Sequence, residues 1–229
     1  MADIARQADD APPARTRATP DGARPFVPVA GGLRALREAL PRCRGCELYA
    51  NGTRPVAGEG PRTARLLVIG EQPGDAEEKE GRPFVGPSGR ILDRALAEAG
   101  IPRGDVFVTN GVKHFRHTVT AAPAERGKRR IHKKPTYGQI AACRPWLEGE
   151  IARVSPKVLV CLGASALAAA CGNKVGFTAS QGQVIPSLFD LPAVVTRHPA
   201  VALRIPDKAK RAEAYAEIVE ALRRADAMR

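Results

Sequence analysis

Short, continuous apolar runs are separated by longer amphipathic stretches along most of this chain. RLLVIG (65–70), DVFVTN (105–110) and KVLVCLG (157–163) are rich in branched residues, as buried strands are. GQVIP and PAVVTR, nearer the carboxyl terminus, are further short runs of this kind. The pattern therefore predicts short strands at these five places.

Between the runs, apolar residues recur at the spacing of a helix face. Residues 31–40, 87–100, 136–154 and 209–226 are predicted to be helices, and ASALAAACG is predicted to form another after the third strand. EQPGD is predicted to be a turn. Residues 113–136 are polar, basic and broken by glycine and proline, so we expect a long loop there.

The alternation of strand and helix indicates an α/β fold, with a central, mostly parallel sheet flanked by helices. A chain of 229 residues is long enough for one domain with a buried core and short for two. Residues 1–28 are rich in Ala, Pro, Arg and Asp and have little to bury, so they predict a disordered N-terminal arm. Residues 29–229 are then the domain.

Lysine and arginine outnumber aspartate and glutamate by 36 to 24, which gives a net charge of +12. This charge favours a polyanionic partner, nucleic acid first and an anionic membrane surface second. The alternative is an alanine- and arginine-rich composition that simply places arginine on solvated faces. No apolar run approaches the roughly 18 residues that span a bilayer, and the N-terminus lacks the apolar core of a signal peptide. We therefore expect a cytoplasmic protein without a membrane partner.

Three polar side chains follow the first predicted strand, in GEQPGD: Glu71, Gln72 and Asp75. Ligands of parallel sheets bind at the carboxyl ends of strands, so these residues are candidates for a pocket. The stretch is neither G-x-G-x-x-G nor a P-loop, so nucleotide binding is not favoured. An ordinary strand-to-helix turn is the alternative interpretation.

Three further residues have side chains suited to a planar base. Asn110, at the end of the second strand, offers a donor and an acceptor that match the edge of a pyrimidine. Phe84 lies in the glycine-flanked stretch GRPFVGPSGR, where it can stack on a flat ring. His198 precedes a proline, which directs its ring away from the sheet end. An Asx turn, a core aromatic residue and a turn histidine are the respective alternatives.

The five cysteines are an odd number, which argues against a disulfide framework in a reducing compartment. Cys43 and Cys46 form a C-x-x-C, and with the distant Cys143 they suggest a metal or a cluster. Zinc would need a second compact pair, so an iron–sulfur cluster fits better. The spacing leaves the fourth ligand open between Cys161 and His114, although Cys161 in its apolar run is better explained as a small buried thiol.

Six motifs in this order resemble the uracil-DNA glycosylase superfamily over about residues 35–222: GEQPG, GRPFVGPSGRILDRAL, VTNGVK, ACRPWL, PKVLVCLGASA and HPAVALR. The early C-x-x-C resembles its iron–sulfur branch, most members of which have cysteine where this chain has His114. That histidine, Gln72 in GEQPG and an inserted basic loop over 116–135 together resemble the UdgX-type subgroup. Members of this subgroup link themselves covalently to uracil-containing DNA.

The resemblance implies a 4Fe-4S cluster held by Cys43, Cys46, His114 and Cys143, with Cys161 and Cys171 outside the ligand positions. It implies that the residues around a flipped uracil and its sugar are Glu71, Gln72, Asp75, Phe84, Asn110 and His198, with Arg130 from the inserted loop. The DNA phosphates would be contacted by Lys128, Arg129, Lys133, Lys134 and Arg204. Uracil-containing DNA is the implied partner, uracil the released product, and the protein is expected to be a monomer.

His132 lies at the centre of the basic stretch GKRRIHKKP (127–135). After the base is flipped, the C1′–N1 bond breaks toward an oxocarbenium-like sugar, and a nearby imidazole would add before water. We hypothesise that His132 is this nucleophile, that Glu71 orients it or takes its proton, and that His198 stabilises charge on the leaving base. The protein would excise uracil and remain linked to C1′ of the abasic sugar.

Four alternatives to this hypothesis remain open. One is a conventional glycosylase that turns over, and another is a DNA-binding module that uses a cluster as a scaffold. A redox protein is favoured only by the C-x-x-C. A basic DNA-clamping loop whose histidine is incidental is the alternative for GKRRIHKKP.

Overall fold

The computed structural model describes residues 21–51, 53–120 and 129–229. The strands in this part of the chain are β1 (Leu66–Gly70), β2 (Val106–Asn110), β3 (His117–Thr120), β4 (Arg129–His132), β5 (Val158–Leu162), β6 (Val184–Pro186) and β7 (Pro192–Thr196). Five of them form one sheet in the order β2-β1-β5-β7-β6. β1, β2, β5 and β7 are parallel, and β6 is antiparallel to β7 at the edge.

The α-helices of the described part are α1 (Leu33–Ala39), α2 (Asp75–Glu80), α3 (Pro87–Glu98), α4 (Tyr137–Val154), α5 (Ala164–Cys171), α6 (Phe177–Ser180), α7 (Ala200–Arg204) and α8 (Lys208–Asp226). Helix starts follow local sequence: the Thr136 side chain accepts a hydrogen bond from Gln139 N at the start of α4, and Asp207 accepts one from Lys210 N at the start of α8.

The helices form two layers because successive strand residues face opposite sides of the sheet. Leu67 and Ile69 of β1 pack in one buried cluster with α1, α4 and α5, and Leu66 and Val68 pack in the other with α3 and α8. The predicted α/β class, with a mostly parallel sheet between helices, is confirmed. Among the described residues, no helix is both long enough and apolar enough to cross a bilayer.

The region from 113 to 136 is not simply a long loop, so that prediction is wrong for part of it. β3 and β4 pair antiparallel, with His117 opposite His132 and Val119 opposite Arg130. We call these two strands the hairpin. The β-branched residues of HTVT favour a strand, but the basic residues obscured that signal. The turn predicted at EQPGD likewise leads directly into α2, which was not predicted.

The start of the chain also differs from the prediction. Residues 21–28 were assigned to the disordered arm, but Ala23 is buried and its N–H donates to Ala142 O at 2.7 Å. Arg24–Phe26 is a turn of 3₁₀-helix, and Phe26 and Val27 pack against the core. These few apolar residues are enough to fasten the segment to α4. Residues 1–20 of the predicted arm lie outside the described residues.

Candidate active site

Glu71 connects the hairpin to the sheet. It follows β1 directly, and its Oε1 lies 2.8 Å from Nε2 of His132. Its other oxygen, Oε2, accepts a hydrogen bond of 2.5 Å from the hydroxyl of Ser165, a buried residue in the first turn of α5. Both carboxylate oxygens are therefore fixed. Ser165 was not predicted from the sequence, although its segment LGAS leaves the end of a strand.

The carboxyl of Glu71 is held in its charged form. Burial alone would raise its pKa, but the hydrogen bonds from His132 and Ser165, together with nearby His198, bring the pKa below its usual value. An ionised carboxylate at 2.8 Å is suited to orient an imidazole and to accept a proton from it.

Gln72 fastens the base of the hairpin. Its amide nitrogen donates to Arg116 O at 3.2 Å and to Lys133 O at 3.1 Å, and its oxygen accepts from Arg116 N at 3.1 Å. Both amide protons are thereby used, so the nitrogen does not donate a hydrogen bond to His132 Nε2, although the two atoms lie 3.2 Å apart. His132 Nε2 is instead hydrogen-bonded to Glu71. The structure places Gln72 beneath the hairpin.

Phe115, which is buried, forms a platform under the hairpin. The ring centroids of His117 and His132 lie 5.0 and 5.9 Å from its own, and the Arg130 guanidinium lies 5.5 Å above it. Phe115 was not predicted to belong to the site. An apolar residue between two polar stretches gave no signal beyond ordinary core packing.

Arg130 is paired with acidic side chains of α2. Its guanidinium lies 2.7 Å from Glu78 Oε2 and also pairs with Asp75, which pairs in addition with Lys79. Arg130 and Asp75, both predicted to bind substrate, thus form an ion pair with each other. The pair fastens the hairpin to α2 and does not reach the side chains of Glu71 or His132.

Phe84 and Asn110 meet at the end of β1. A Cβ on Gly70 would lie 2.6 Å from Phe84 Cζ and 2.4 Å from Asn110 Oδ1, so only glycine permits this approach. Phe84 has a φ of 58°, a strained conformation for a residue with a side chain, and its carbonyl lies 1.7 Å from where a Cβ of Gly89 would stand. Within the described part of the chain, the Asn110 side-chain amide has no hydrogen-bond partner. An aromatic ring and a free amide thus lie side by side.

His198 presents a hydrogen-bond donor to the same end of the sheet. Burial lowers its pKa to about 4, so the ring is neutral at pH 7. Its Nδ1 accepts from Ala200 N at 3.2 Å, which leaves the proton on Nε2. Glu71 and His132 are close enough to influence its pKa.

Four predicted cluster ligands surround one cleft, which we call the cluster cleft. They are buried, at 5 to 8% exposure, and are Cys43, Cys46, His114 and Cys143. Burial raises the pKa of Cys46 to about 11, raises that of Cys143, and lowers that of His114 to about 4. Neutral imidazole is a ligand, whereas the thiols need a positive partner to ionise. Among the described residues, no three His, Cys, Asp or Glu side chains are grouped to hold a single metal ion.

The predicted DNA-contacting residues are only partly described. Three of them are exposed and therefore accessible to phosphates: Lys133, Lys134 and Arg204. Arg129 is described through its backbone in β4, and Lys128 lies outside the described residues.

Comparison with known proteins adds independent evidence on the family of this chain. A family model described as the Uracil DNA glycosylase superfamily matches residues 57–223. A type-4 uracil-DNA glycosylase of Thermotoga maritima is 36% identical over 173 residues, or 75% of this chain and 83% of that protein. One from Pyrobaculum aerophilum is 33% identical over 183 residues, 76% and 86% of the two chains. A type-5 uracil-DNA glycosylase of Thermus thermophilus is 36% identical over 125 residues, 51% and 53% of the two.

Proposed function

Because this chain belongs to the uracil DNA glycosylase superfamily, we propose that it excises uracil from DNA and then captures the abasic sugar covalently through His132. The observation that carries the capture is the 2.8 Å contact between His132 Nε2 and Glu71 Oε1 at the carboxyl end of the sheet. His114, Gln72 and the hairpin support a UdgX-type assignment within the superfamily.

Uracil would be recognised by three of the residues described above. Phe84 offers a face for stacking, and the free Asn110 amide offers the donor and acceptor that the pyrimidine edge requires. His198, with its proton on Nε2, donates to a uracil carbonyl. This hydrogen bond strengthens as negative charge develops on the leaving base, so it lowers the barrier to breaking the C1′–N1 bond.

Capture would follow bond cleavage directly. The electron pair of the C1′–N1 bond leaves with uracil, and C1′ becomes electron-deficient. Glu71 accepts the Nε2 proton of His132, and the electron pair that this leaves on Nε2 forms the bond to C1′. The products are free uracil and a protein–sugar C–N bond with no ready leaving path.

A 4Fe-4S cluster would be held by Cys43, Cys46, His114 and Cys143, which fit it as four buried donors around one cleft. When bound, the cluster would supply positive charge that stabilises the thiolates and would brace the adjoining loops. His114 lies four residues after Asn110, so the braced segment begins at the base-binding end of β2.

The test is a labelled single-stranded oligonucleotide with one uracil, incubated with the protein, boiled in detergent and run on a denaturing gel. We expect a uracil-dependent band shifted by the mass of the protein. His132→Ala should abolish the shifted band while uracil release continues, because water then has access to C1′. His117→Ala, which removes the opposing histidine of the hairpin, is the matched control and should retain the band.

The possible results separate the candidate functions. A shifted band that persists in His132→Ala would mean that another residue is the nucleophile. Alkali-labile DNA without a shifted band would identify a conventional glycosylase that turns over, the second candidate, which the type-4 relatives favour. Intact, alkali-resistant DNA would exclude both.

A further inference from the structure

Lys113 and Glu150 form an ion pair in the interior, behind the candidate active site. Lys113 Nζ lies 2.8 Å from Glu150 Oε2, and the side chains are only 1% and 5% exposed. Burying two charges is unfavourable unless hydrogen bonds satisfy their polar atoms, and such pairs add little stability of their own. A pair buried this deeply, with little stability to gain, therefore calls for another role.

The hydrogen bonds of the Lys113 ammonium are all directed at the end of β2 and at α4. Besides Glu150, Nζ donates to Thr109 Oγ1 at 2.6 Å and to Asn110 O at 2.8 Å, which uses its three protons. Thr109 in turn donates to Glu150 Oε2 at 2.7 Å, and Glu150 Oε1 accepts from Gly58 N at 2.8 Å. The network is saturated, so each member holds the others in place.

Helix α4 holds Lys113 at both ends. The backbone N–H of Lys113 donates to Cys143 Sγ at 3.3 Å, and its ammonium reaches Glu150. Cys143 and Glu150 are seven residues apart, about two helical turns, so they lie on the same face of α4. Lys113 therefore spans from a wall of the cluster cleft to the backbone of Asn110.

We propose that Lys113, held by Glu150, is the positioning residue that fixes Asn110 for reading the uracil edge. This inference rests on the proposed uracil excision. The Asn110 side chain has no hydrogen-bond partner in the described part of the chain, so its direction depends on its backbone, and the Lys113 ammonium holds that backbone at the carbonyl. The same side chain links base recognition to α4 and to the cluster cleft.

The test is a double-mutant cycle on the rate of uracil release. Lys113→Met is combined with Glu150→Gln so that no unpaired charge is left buried. We expect about a hundredfold loss of the single-turnover rate when Asn110 is present, the size that misplacement of a recognition group produces. In an Asn110→Ala background the same pair of changes should cost only a few-fold, because the two sites act as one unit. Equal losses in both backgrounds would overturn the proposal.

Hydrogen exchange on the DNA-free protein tests whether Lys113 holds the backbone of Asn110, and it does not require an activity measurement. Amides of residues 108–114 should exchange faster in Lys113→Met/Glu150→Gln than in the wild type. Thr136→Ala, which removes the cap of α4 but touches neither charge, is the control and should leave this segment protected. Unchanged exchange in the double variant would overturn the inference. If the wild-type protein releases no uracil, the proposed function fails, while exchange still reports whether Lys113 holds Asn110.

Discussion

The cluster cleft and the hairpin flank the same end of the sheet, and they are held there in opposite ways. The cleft is lined by buried residues and packs into the apolar core around Trp146 and α4. The hairpin is exposed, with 40% of the His132 side chain accessible, and is fastened by polar contacts from Gln72 and Arg130. Core packing distributes its stabilisation over many atoms, whereas the hairpin depends on a few bonds. Changes in the cleft should therefore affect the whole protein, and changes at the hairpin should affect mainly the proposed capture.

The largest expected effect is at the cleft, from His114→Ala. Removing this buried donor should deplete iron and lower the free energy of unfolding by roughly 2 kcal/mol or more, since metal loss is among the strongly destabilising changes. Iron and acid-labile sulfide analysis, with thermal unfolding, measures both. Cys171→Ala, a buried thiol outside the cleft, should leave iron unchanged. Unaltered iron and stability in His114→Ala would make Cys161 the better candidate for the fourth ligand.

An intermediate effect is expected from Gln72→Leu at the base of the hairpin. Each of its three backbone bonds contributes about 1 kcal/mol, so their loss should slow formation of the covalent adduct by roughly tenfold or more. Release of free uracil should change much less, because Gln72 does not touch Phe84 or Asn110. Single-turnover assays of both products measure the split. Gln139→Leu, another buried glutamine, is the control; equal slowing of both products by Gln72→Leu would show that it acts on the whole site.

The smallest effect is expected from Arg130→Gln. Its pairs with Asp75 and Glu78 are partly exposed and screened by salt, so adduct formation should slow about two- to fivefold at low salt and less at high salt. Arg82→Gln, which breaks the exposed pair with Glu59, serves as the control and should have no effect. A salt-independent loss would argue that Arg130 acts through contacts other than these screened ion pairs.

The same ion pairs should give hairpin docking a pH dependence. Hydrogen bonds from Lys79 and Arg130 hold the pKa of Asp75 below its usual value. Burial raises the pKa of Glu78, but hydrogen bonds from Arg54 and Arg130 bring it below its usual value. Carboxyls with lowered pKa stabilise docking fully above their unfolded values and lose that contribution as pH falls through the folded ones. Amide hydrogen exchange of residues 129–133, corrected for the intrinsic exchange rate, should thus be constant from pH 7 to 5 in the wild type and become faster below about pH 4. In Arg130→Gln this increase at low pH should be absent.

The two regions also differ in how far the sequence revealed them. The strands 65–70, 105–110 and 157–163 and the helix 136–154 follow from apolar periodicity. The ligand set of the cleft was implied by the C-x-x-C and the family resemblance. The same periodicity located Glu71 and Asn110 at strand ends. Buried strands and helices carry these local apolar patterns because their side chains must pack into the core.

The fastening of the hairpin left no such pattern. Gln72 contacts Arg116 and Lys133, 44 and 61 residues away, through backbone atoms that any residue would supply. Ser165 reaches Glu71 across 94 residues by one hydroxyl. Contacts of this kind depend on the assembled fold, so the bonds from Gln72 to the hairpin were not predicted and Ser165 was not selected.

The closed base of the hairpin has a consequence for the history and engineering of this enzyme. Lys133 N donates to Arg116 O at 2.9 Å, so the two ends of the hairpin lie side by side where it leaves the rest of the domain. A segment with adjoining ends can be gained, lost or exchanged without moving the residues on either side. Grafting such a hairpin, with a matching glutamine after the strand-end glutamate, into another member of the superfamily would test whether it brings the proposed covalent capture with it.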